Sequence, residues 1–431
     1  MTTAVECDVL ICGGGVGGLV LALLLGRGGA DVRVLEQAPS LPMARRAENI
    51  QPNGLAVLDR LGLLQPLLKA GAWRNEQFEF VSIDPDGNGR SLCTIDYRDL
   101  PGSYPYTLLT TPAVIQPLLL DAVMACANVR CLWGMKVTGM EWEREVVCVT
   151  ASGADGVPHR WRARMVVGAD GVYSTVRRLA GLSASVHLYR DGYATAMIPR
   201  PAALGAGGRY AVGRGRIMAL FPVSTSEVAL LYMIRRDRWA AVRAGALETL
   251  KGDMHRILPM ADESLLSLAS WDQVGFMPCA RVRASSWVGD RVALIGDAAH
   301  ALNPHVAQGR NQAMEDAEVL AGVIAEGLRT NQLGQPVLAR FDSARRPQVE
   351  RLQRAADEMT LLWNNGGWPV DWLRERIFRT LARNRRLRSR MTALVGGLPV
   401  RPYSLVERFQ AAGLLPDPRA GEAVRLESGS P

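Results

Sequence analysis

Residues 7–36, CDVLICGGGVGGLVLALLLGRGGADVRVLE, decide the fold. The first six form a short apolar run of the kind that becomes a buried strand. That run feeds Gly13-Gly14-Gly15-Val16-Gly17-Gly18, in which Gly13, Gly15 and Gly18 satisfy the spacing G-x-G-x-x-G. An apolar helix is predicted from Val16 to about Arg27, and a second strand over 31–35 that ends at Glu36. In such a unit the first glycine permits a sharp turn and the second lets a pyrophosphate approach the backbone. The third lets helix and strand pack closely. Glu36 is placed to bind a ribose 2′-hydroxyl and would repel a 2′-phosphate, so FAD or NAD fits this unit better than NADP. A glycine triplet alone is weak; strand, helix, second strand and terminal acid together predict dinucleotide binding.

A second stretch has the same logic. Residues 291–317, RVALIGDAAHALNPHVAQGRNQAMEDA, open with an apolar strand that ends at once in Gly296-Asp297. Pro304 follows, and a helical pattern then starts at Gln308-Gly309-Arg310-Asn311. The Asp297 carboxylate can accept hydrogen bonds from ribityl hydroxyls. The free N–H groups at Gly309, Arg310 and Asn311 suit negative charge on a reduced flavin ring. Between the two stretches, a strand at 160–167 runs into Gly168-Ala169-Asp170-Gly171, a third strand-to-acid turn. Asp170 is placed to hydrogen-bond a dinucleotide, and Arg177 and Arg178 to meet a pyrophosphate or a pyridine nucleotide. Plain turn chemistry is the alternative reading for both acidic turns.

Composition sets the frame. The chain has 431 residues, 48 % hydrophobic and 21 % charged, long enough for two or three domains and ordinary for a globular protein. Its net charge of +8 is concentrated late, above all in 374–390, which reads either as a solvated helix face or as a surface for an acidic partner or membrane. No zinc-finger pairing or RNP-like box points to nucleic acid, and none is expected as a partner. Seven cysteines without a Cys-x-x-Cys predict reduced, mostly buried thiols and no metal site. The start lacks a basic n-region and the apolar stretch 19–25 is too short to span a bilayer, so a cytoplasmic protein is expected.

The remaining segments fill in the plan. Arg45 and Arg46 lie in a loop before an amphipathic helix over 55–68, suited to covering a flavin or simply to a solvated turn. Strand-like runs over 77–97 are broken by a turn at 84–89. Thr111-Pro112 starts a helix with Thr111 as its N-cap. Strands at 186–198, 209–221 and 227–234 and a helix over 239–258 suggest a mixed-sheet unit. Its residues Tyr193, Arg209, Tyr210, Met218, Leu220 and Tyr232 are the candidates for a substrate wall, and Met197 is another, with ordinary core as the alternative. A long helix over 336–360 contains Arg345 and Arg346. Trp363, Trp368 and Trp372 then precede a basic helix, suited to peripheral contact with the inner face of the membrane or to ordinary packing. From about Pro416 the chain reads as frayed.

Three elements in fixed order, the glycine turn with Glu36, Asp170-Gly171 and Gly296-Asp297, resemble the class A flavoprotein monooxygenases, the family of para-hydroxybenzoate hydroxylase. The likeness runs from about Cys7 to Arg351, and GDAAHALNP followed by AQGRNQAMEDA is its most specific part. Ala307 stands where the family has glycine, and Thr111 where relatives often have arginine. The resemblance implies an α/β fold: a Rossmann-like FAD-binding domain of the glutathione reductase/hydroxylase type, an inserted mixed β-sheet substrate domain and a C-terminal helical region. The expected division is 1–182 for the first part of the FAD domain, with small substrate-domain strands near 75–110. Residues 183–284 form the substrate sheet, 285–362 the second part of the FAD domain and 363–431 a helical tail.

The resemblance also implies a cofactor site of Gly13, Gly15, Val16, Gly18, Glu36, Arg46, Asp170, Asp297, Gly309, Arg310 and Asn311. The flavin ring would face Pro304 and the helix start, NADH or NADPH would reduce it transiently, and O2 would be the second co-substrate. A flavin C4a-hydroperoxide would then hydroxylate or epoxidise an activated aromatic or heteroaromatic small molecule. That chemistry calls for a dry, closable pocket and gains from a base near the substrate hydroxyl; His305, beside Pro304, is the candidate and His300 the loop-ordering residue. The alternative on the same fold is a flavin-dependent reductase or dehydrogenase acting on a prenylated quinone or other lipid-tailed substrate. A halogenase has no supporting Trp-x-Trp-x-Ile-Pro signature. Monomer and homodimer both remain open at this point.

Overall fold

Strands buried on both faces need uninterrupted apolar runs, and the run Val9–Cys12, at the end of the strand Val5–Cys12, sits in the middle of such a sheet. The computed structural model of the protein describes residues 5–41, 46–83, 89–424 and 426. Val5–Cys12 pairs in parallel with Val32–Glu36 on one side and with Pro158–Gly168 on the other. Val129–Trp133 extends the first side and Val292–Leu294 the second, again in parallel. The chain thus leaves the central strand in both directions, which creates the switch point at which open α/β sheets bind ligands. A hairpin, Lys136–Glu143 with Val146–Ser152, pairs antiparallel on Pro158–Gly168.

The helix Val16–Arg27 is apolar all round because it is covered all round: Leu19, Leu21 and Leu23 are fully buried. One of its neighbours is the long helix Gly309–Thr330. The two approach through small residues. A Cβ on Gly17, or on Gly296 in the nearby turn, would stand 3.0 Å from the Ala313 Cβ.

A second, seven-stranded sheet runs in the order Gly275–Ala284, Ala184–Pro199, Glu227–Arg235, Arg216–Pro222, Gly208–Gly213, Gln77–Ser82, Ser91–Asp96. All its pairings are antiparallel except that of Gly208–Gly213 with Gln77–Ser82, so the sheet is mixed. Its two faces carry separate cores. One holds Met218, Leu220 and Tyr232 against Leu250, Met254 and Leu258. The other holds Tyr193, Ala219 and Phe221, together with Trp363, Phe378 and Leu387 from the C-terminal helices.

Several expectations change. The helix expected over 239–258 is two, Trp239–Ala244 and Leu247–His255, because Gly245 adopts an extended conformation between them. Thr111 occupies the N-cap position of Pro112–Met124 but its side chain makes no capping bond. The turn at 84–89 falls largely outside the described residues, as does Arg45. The expectation of a frayed end from about Pro416 partly lies outside the described residues; within them Asp417 is tied down, accepting from Asn384 at 2.8 Å and from Arg386 at 2.9 Å. In the basic stretch 374–390, Arg374 and Arg386 are buried, Arg379, Arg383 and Arg385 are exposed, and most of the arginines are engaged in ion pairs. Arg374 pairs with Asp371, Arg386 with Glu407 and Asp417, Arg390 with Glu407, and Arg385 and Arg388 with Asp99. Trp363 is buried, whereas Trp368 and Trp372 are exposed. No described helix is long and apolar enough to cross a membrane.

Candidate active site

The three turns stand side by side. Cys12 lies opposite Gly168, and Gly168 opposite Leu294, in neighbouring parallel strands. The pairing continues past the strand ends, with Ala169 N–H donating to Cys12 O at 2.7 Å and Ile295 N–H to Gly168 O at 2.9 Å. Two glycines are demanded by this crowding. Gly13 has φ +114°, and a Cβ there would lie 2.3 Å from Ala169 O; on Gly18 it would lie 2.1 Å from Gly13 O. Gly15 is different, since a Cβ would meet nothing within 4 Å. It borders a cavity.

That cavity has a volume of about 450 Å3 and lies between the turns and the second sheet. Gly15, Val16, Gly18, Arg46, Asp297, Pro304, His305, Gly309 and Arg310 line it on one side. Tyr193, Tyr210, Ile217, Ala219, Phe221, Leu231 and Met277 form the opposite wall. The Asp297 side chain is exposed to this space, which is itself walled by the chain. Its withdrawal from bulk water pushes its pKa above the usual carboxylate range, and His300 and Arg46 pull it part of the way back. Among the described residues no hydrogen bond or ion pair engages that carboxylate. Next to it the helix Gly309–Thr330 begins, and its first intrahelical bond is Gln312 N–H to Gln308 O at 2.8 Å. The N–H groups of Gly309, Arg310 and Asn311 therefore have no partner within the helix. An unengaged carboxylate for hydroxyls, free N–H groups for negative charge and open space in front of Gly15 fit an extended flavin dinucleotide.

Other expected cofactor residues do different work. Both oxygens of Glu36 accept backbone bonds, from Gly14 N–H at 2.7 Å and Ala38 N–H at 2.8 Å; each keeps a lone pair for a ribose hydroxyl. Asp170 is committed locally: Ser174 Oγ, Thr175 N–H and Val176 N–H all donate to it, so it caps the short helix Thr175–Leu179 instead of facing the cavity. Arg177 is spent as a brace, donating to Ala298 O at 2.6 Å and Val172 O at 2.9 Å across two of the turns. Arg178 is exposed. Asn311 is fully buried and ties Asn49 O, Ala307 O and Gln51 N–H together rather than lining the cavity. Arg46 and Arg310 both pair with Glu48.

On the sheet wall, two of the six expected residues line the cavity. Tyr193 and Tyr210 line the cavity, and Met197 packs against the core on that side. Met218, Leu220 and Tyr232 do not, and Arg209 is bound to Glu79 at 2.6 Å on the far face. Side chains alternate along a strand, and Met218 sits directly opposite Tyr232 while Ala219 sits opposite Leu231. Met218 and Leu220 of Arg216–Pro222 therefore lie on the far face, and Ile217, Ala219 and Phe221 line the space.

His305 is buried, and burial lowers its pKa from 6.5 to about 4, with the Asn364 hydrogen bond opposing. Asn364 donates through Nδ2 to Asp191 at 3.1 Å, which presents its Oδ1 to His305 Nε2 at 2.7 Å. This places the imidazole proton on Nε2 and leaves Nδ1 as the ring's acceptor. The Tyr193 hydroxyl stands 3.5 Å away. At neutral pH the ring is uncharged and a much weaker base than free histidine.

Two residues missed as site residues hold the Asp297 turn. Asp316 is fully buried and accepts from Gly296 N–H at 3.0 Å, His300 Nε2 at 2.5 Å and Arg345 Nε at 2.9 Å. Burial pushes its carboxyl up, but His300 and Arg345 more than offset this and hold it below the usual range. The signal was present in the sequence, an acid seven residues into the helix and an arginine in the next helix, without anything local to pair them. Ala307 is left-handed at φ +49°, which explains why glycine suits this position.

Comparisons with known proteins agree with this geometry. Residues 6–356 match the family model described as an FAD binding domain. The chain is 36 % identical over 354 residues to a 6-methylpretetramide 4-monooxygenase of Streptomyces rimosus, covering 80 % of this chain and 82 % of that protein. It is 29 % identical to a para-nitrophenol 4-monooxygenase of Pseudomonas sp. (strain WBC-3), covering 76 % and 81 %. The crystal structure of p-nitrophenol 4-monooxygenase from Pseudomonas putida DLL-E4 shares the fold, with a TM-score of 0.78 at 22 % identity over 95 % of this chain and 99 % of that one. These relatives do not favour the reductase alternative. The chain belongs to the class A FAD-dependent aromatic monooxygenase family, and it is an FAD-dependent monooxygenase.

Proposed function

We propose that the cavity holds FAD with its adenosine end at Gly13, Gly15, Val16, Gly18 and Glu36 and its ribityl chain at Asp297. Its ring edge lies at Pro304 and the start of the helix Gly309–Thr330, with Arg46 and Arg310 nearby. NADH or NADPH supplies electrons and O2 the inserted oxygen. In this reading residues 1–182 and 285–362 build the cofactor domain, with strands near 75–110 lent to the substrate sheet of 183–284, and 363–431 is a C-terminal tail whose described helices pack on one face of that sheet. Bound FAD supplies the electron storage and oxygen activation that no side chain here can provide. The chain supplies the rest. Asp297 accepts the polyol hydroxyls, and the N–H groups of Gly309 and Arg310 stabilise negative charge on the ring system. The apolar wall of Ile217, Phe221, Leu231 and Met277 keeps water out.

The substrate in this reading is a phenolic, extended aromatic molecule without an anionic anchor. Among the described lining residues the only cations are Arg46 and Arg310, both paired with Glu48, and Arg209 lies on the other face. The name of the Streptomyces relative points the same way. His305 acts as a neutral residue that accepts a hydrogen bond at Nδ1 and orients a substrate hydroxyl; with its pKa near 4 it does not remove the proton outright. The single observation carrying the proposal is the unengaged Asp297 carboxylate, set beside free helix N–H groups and facing an apolar wall. The test follows flavin absorbance in the purified holoenzyme. Bleaching by NADH or NADPH that accelerates with a fused-ring phenol, and recovery in air with a hydroxylated product, supports it. Bleaching indifferent to every phenol sinks it.

A further inference from the structure

Beside the main cavity lies a small annex of about 40 Å3, walled by Phe78, Phe80, Tyr97, Trp363 and Met391. Tyr210, His305, Ala307 and Asn49 line both spaces, so the annex is a continuation of the substrate side. It has room for the few atoms at the edge of a ring and not for a molecule of its own. Its walls are flat: Phe80 stacks on Tyr210 at 4.9 Å and 4°.

Two of the polar residues in this lining, Gln51 and Asn49, each carry a buried side-chain atom without a partner. Gln51 is fully buried, and its Nε2 has no hydrogen-bond partner among the described residues. The rest of its polar groups are spoken for: Tyr97 donates to its Oε1 at 2.8 Å, and its backbone N–H donates to Asn311 Oδ1 at 3.1 Å. The Tyr97 hydroxyl is the donor in this bond, which leaves the amide nitrogen as the free atom. Asn49, two residues earlier on extended backbone and hence on the same side, carries a buried Oδ1 that is likewise unpartnered. A buried donor left unmade is penalised, and a ligand that supplies the matching acceptor recovers that penalty on binding.

We propose that Gln51 is a specificity-determining residue: its amide nitrogen donates to an oxygen on the distal edge of a fused-ring aromatic substrate, while Asn49 Oδ1 accepts from a hydroxyl beside it. The substrate's reacting ring lies in the main cavity and its far edge, carrying a ring ketone, enters between Phe80, Tyr97 and Trp363. Such a molecule spans both spaces, whereas a single-ring phenol leaves Gln51 unanswered. This rests on the function proposed above and narrows its substrate class to oxygenated polycyclic aromatics.

The experiment compares xanthone with xanthene, a planar ring ketone and its counterpart lacking the carbonyl oxygen, by equilibrium dialysis against the holoenzyme. The wild-type protein is expected to prefer xanthone. Gln51→Leu should weaken xanthone binding roughly five- to tenfold and leave xanthene within about twofold. Because Gln51→Leu also deprives the Tyr97 hydroxyl of its acceptor, Gln51→Leu combined with Tyr97→Phe, which removes both partners, should show the same loss of preference in a well-folded protein. Tyr97→Phe alone should keep the preference. Equal changes for both probes, an unchanged ratio, or a wild-type protein that binds neither probe overturns the proposal. The same preparations are tested for phenol-stimulated NAD(P)H oxidation; its absence in wild type overturns the proposed function instead.

Discussion

His305 gives the prediction with the most definite sign. The residue is 9 % exposed and its pKa is lowered by burial from 6.5 to about 4. In the unfolded chain the imidazole takes up a proton near 6.5, while in the folded chain it resists until about pH 4. Acidification through that window therefore favours the unfolded state. The stability in question is fully present above 6.5 and lost as pH falls towards 4. At about 1.4 kcal/mol per pH unit, the loss attributable to this residue reaches about 3 kcal/mol. His305→Gln removes the titration and keeps an amide near Asn364. Urea unfolding of both proteins from about pH 7 to about pH 4 isolates the term, because every other titrating group cancels in the difference. The gap between variant and wild type should shift in the variant's favour by about 3 kcal/mol across the window. Parallel pH dependences would mean that His305 is solvated in the folded protein and free to act as the base first expected.

Three further outcomes follow from the site. Asp297→Ala removes the cavity-lining carboxylate that, unlike Glu48, has no arginine partner, and should weaken FAD binding roughly ten- to hundredfold in reconstitution titrations; full yellow occupancy after purification counts against the ribityl assignment. Asp316→Asn leaves Arg345 buried with Glu315 as its remaining acid, and should lower stability by about 3 kcal/mol in urea while loosening FAD retention through the Gly296 turn; a variant as stable as wild type would show that the network is ornamental. Arg209→Ala, on the far face with Glu79, should leave the KM for phenolic substrates within roughly twofold; a large rise in KM would return it to the substrate wall.

What could be read in the sequence was whatever chemistry is local. The glycine turn at Gly13–Gly18, the acid at the end of the second strand and the Gly296-Asp297 turn are each specified within about twenty residues, because a turn or a helix start is set by its neighbours. Their alignment through Cys12, Gly168 and Leu294 is a matter of sheet register, which follows once the parallel order is known. Two kinds of feature were not legible. The face of a strand depends on parity, and Met218 reads as well as Ala219 until the helices over Leu250 and Met254 show which face is already taken. Partnerships across the chain are equally silent: Asp170 looks like a ligand until Ser174 and Thr175 claim it, and nothing near Asp316 announces Arg345.

The most direct test of the central account uses isotopically labelled dioxygen. Holoenzyme, NADH or NADPH and a fused-ring phenol are mixed, and the product is analysed by mass. The account predicts one labelled oxygen atom in the hydroxylated product for each coupled turnover, with the signal lost in Asp297→Ala as FAD is lost. Flavin that bleaches and reoxidises while the aromatic compound returns unlabelled, or reduced rather than hydroxylated, would contradict it and move the protein to the reductase alternative.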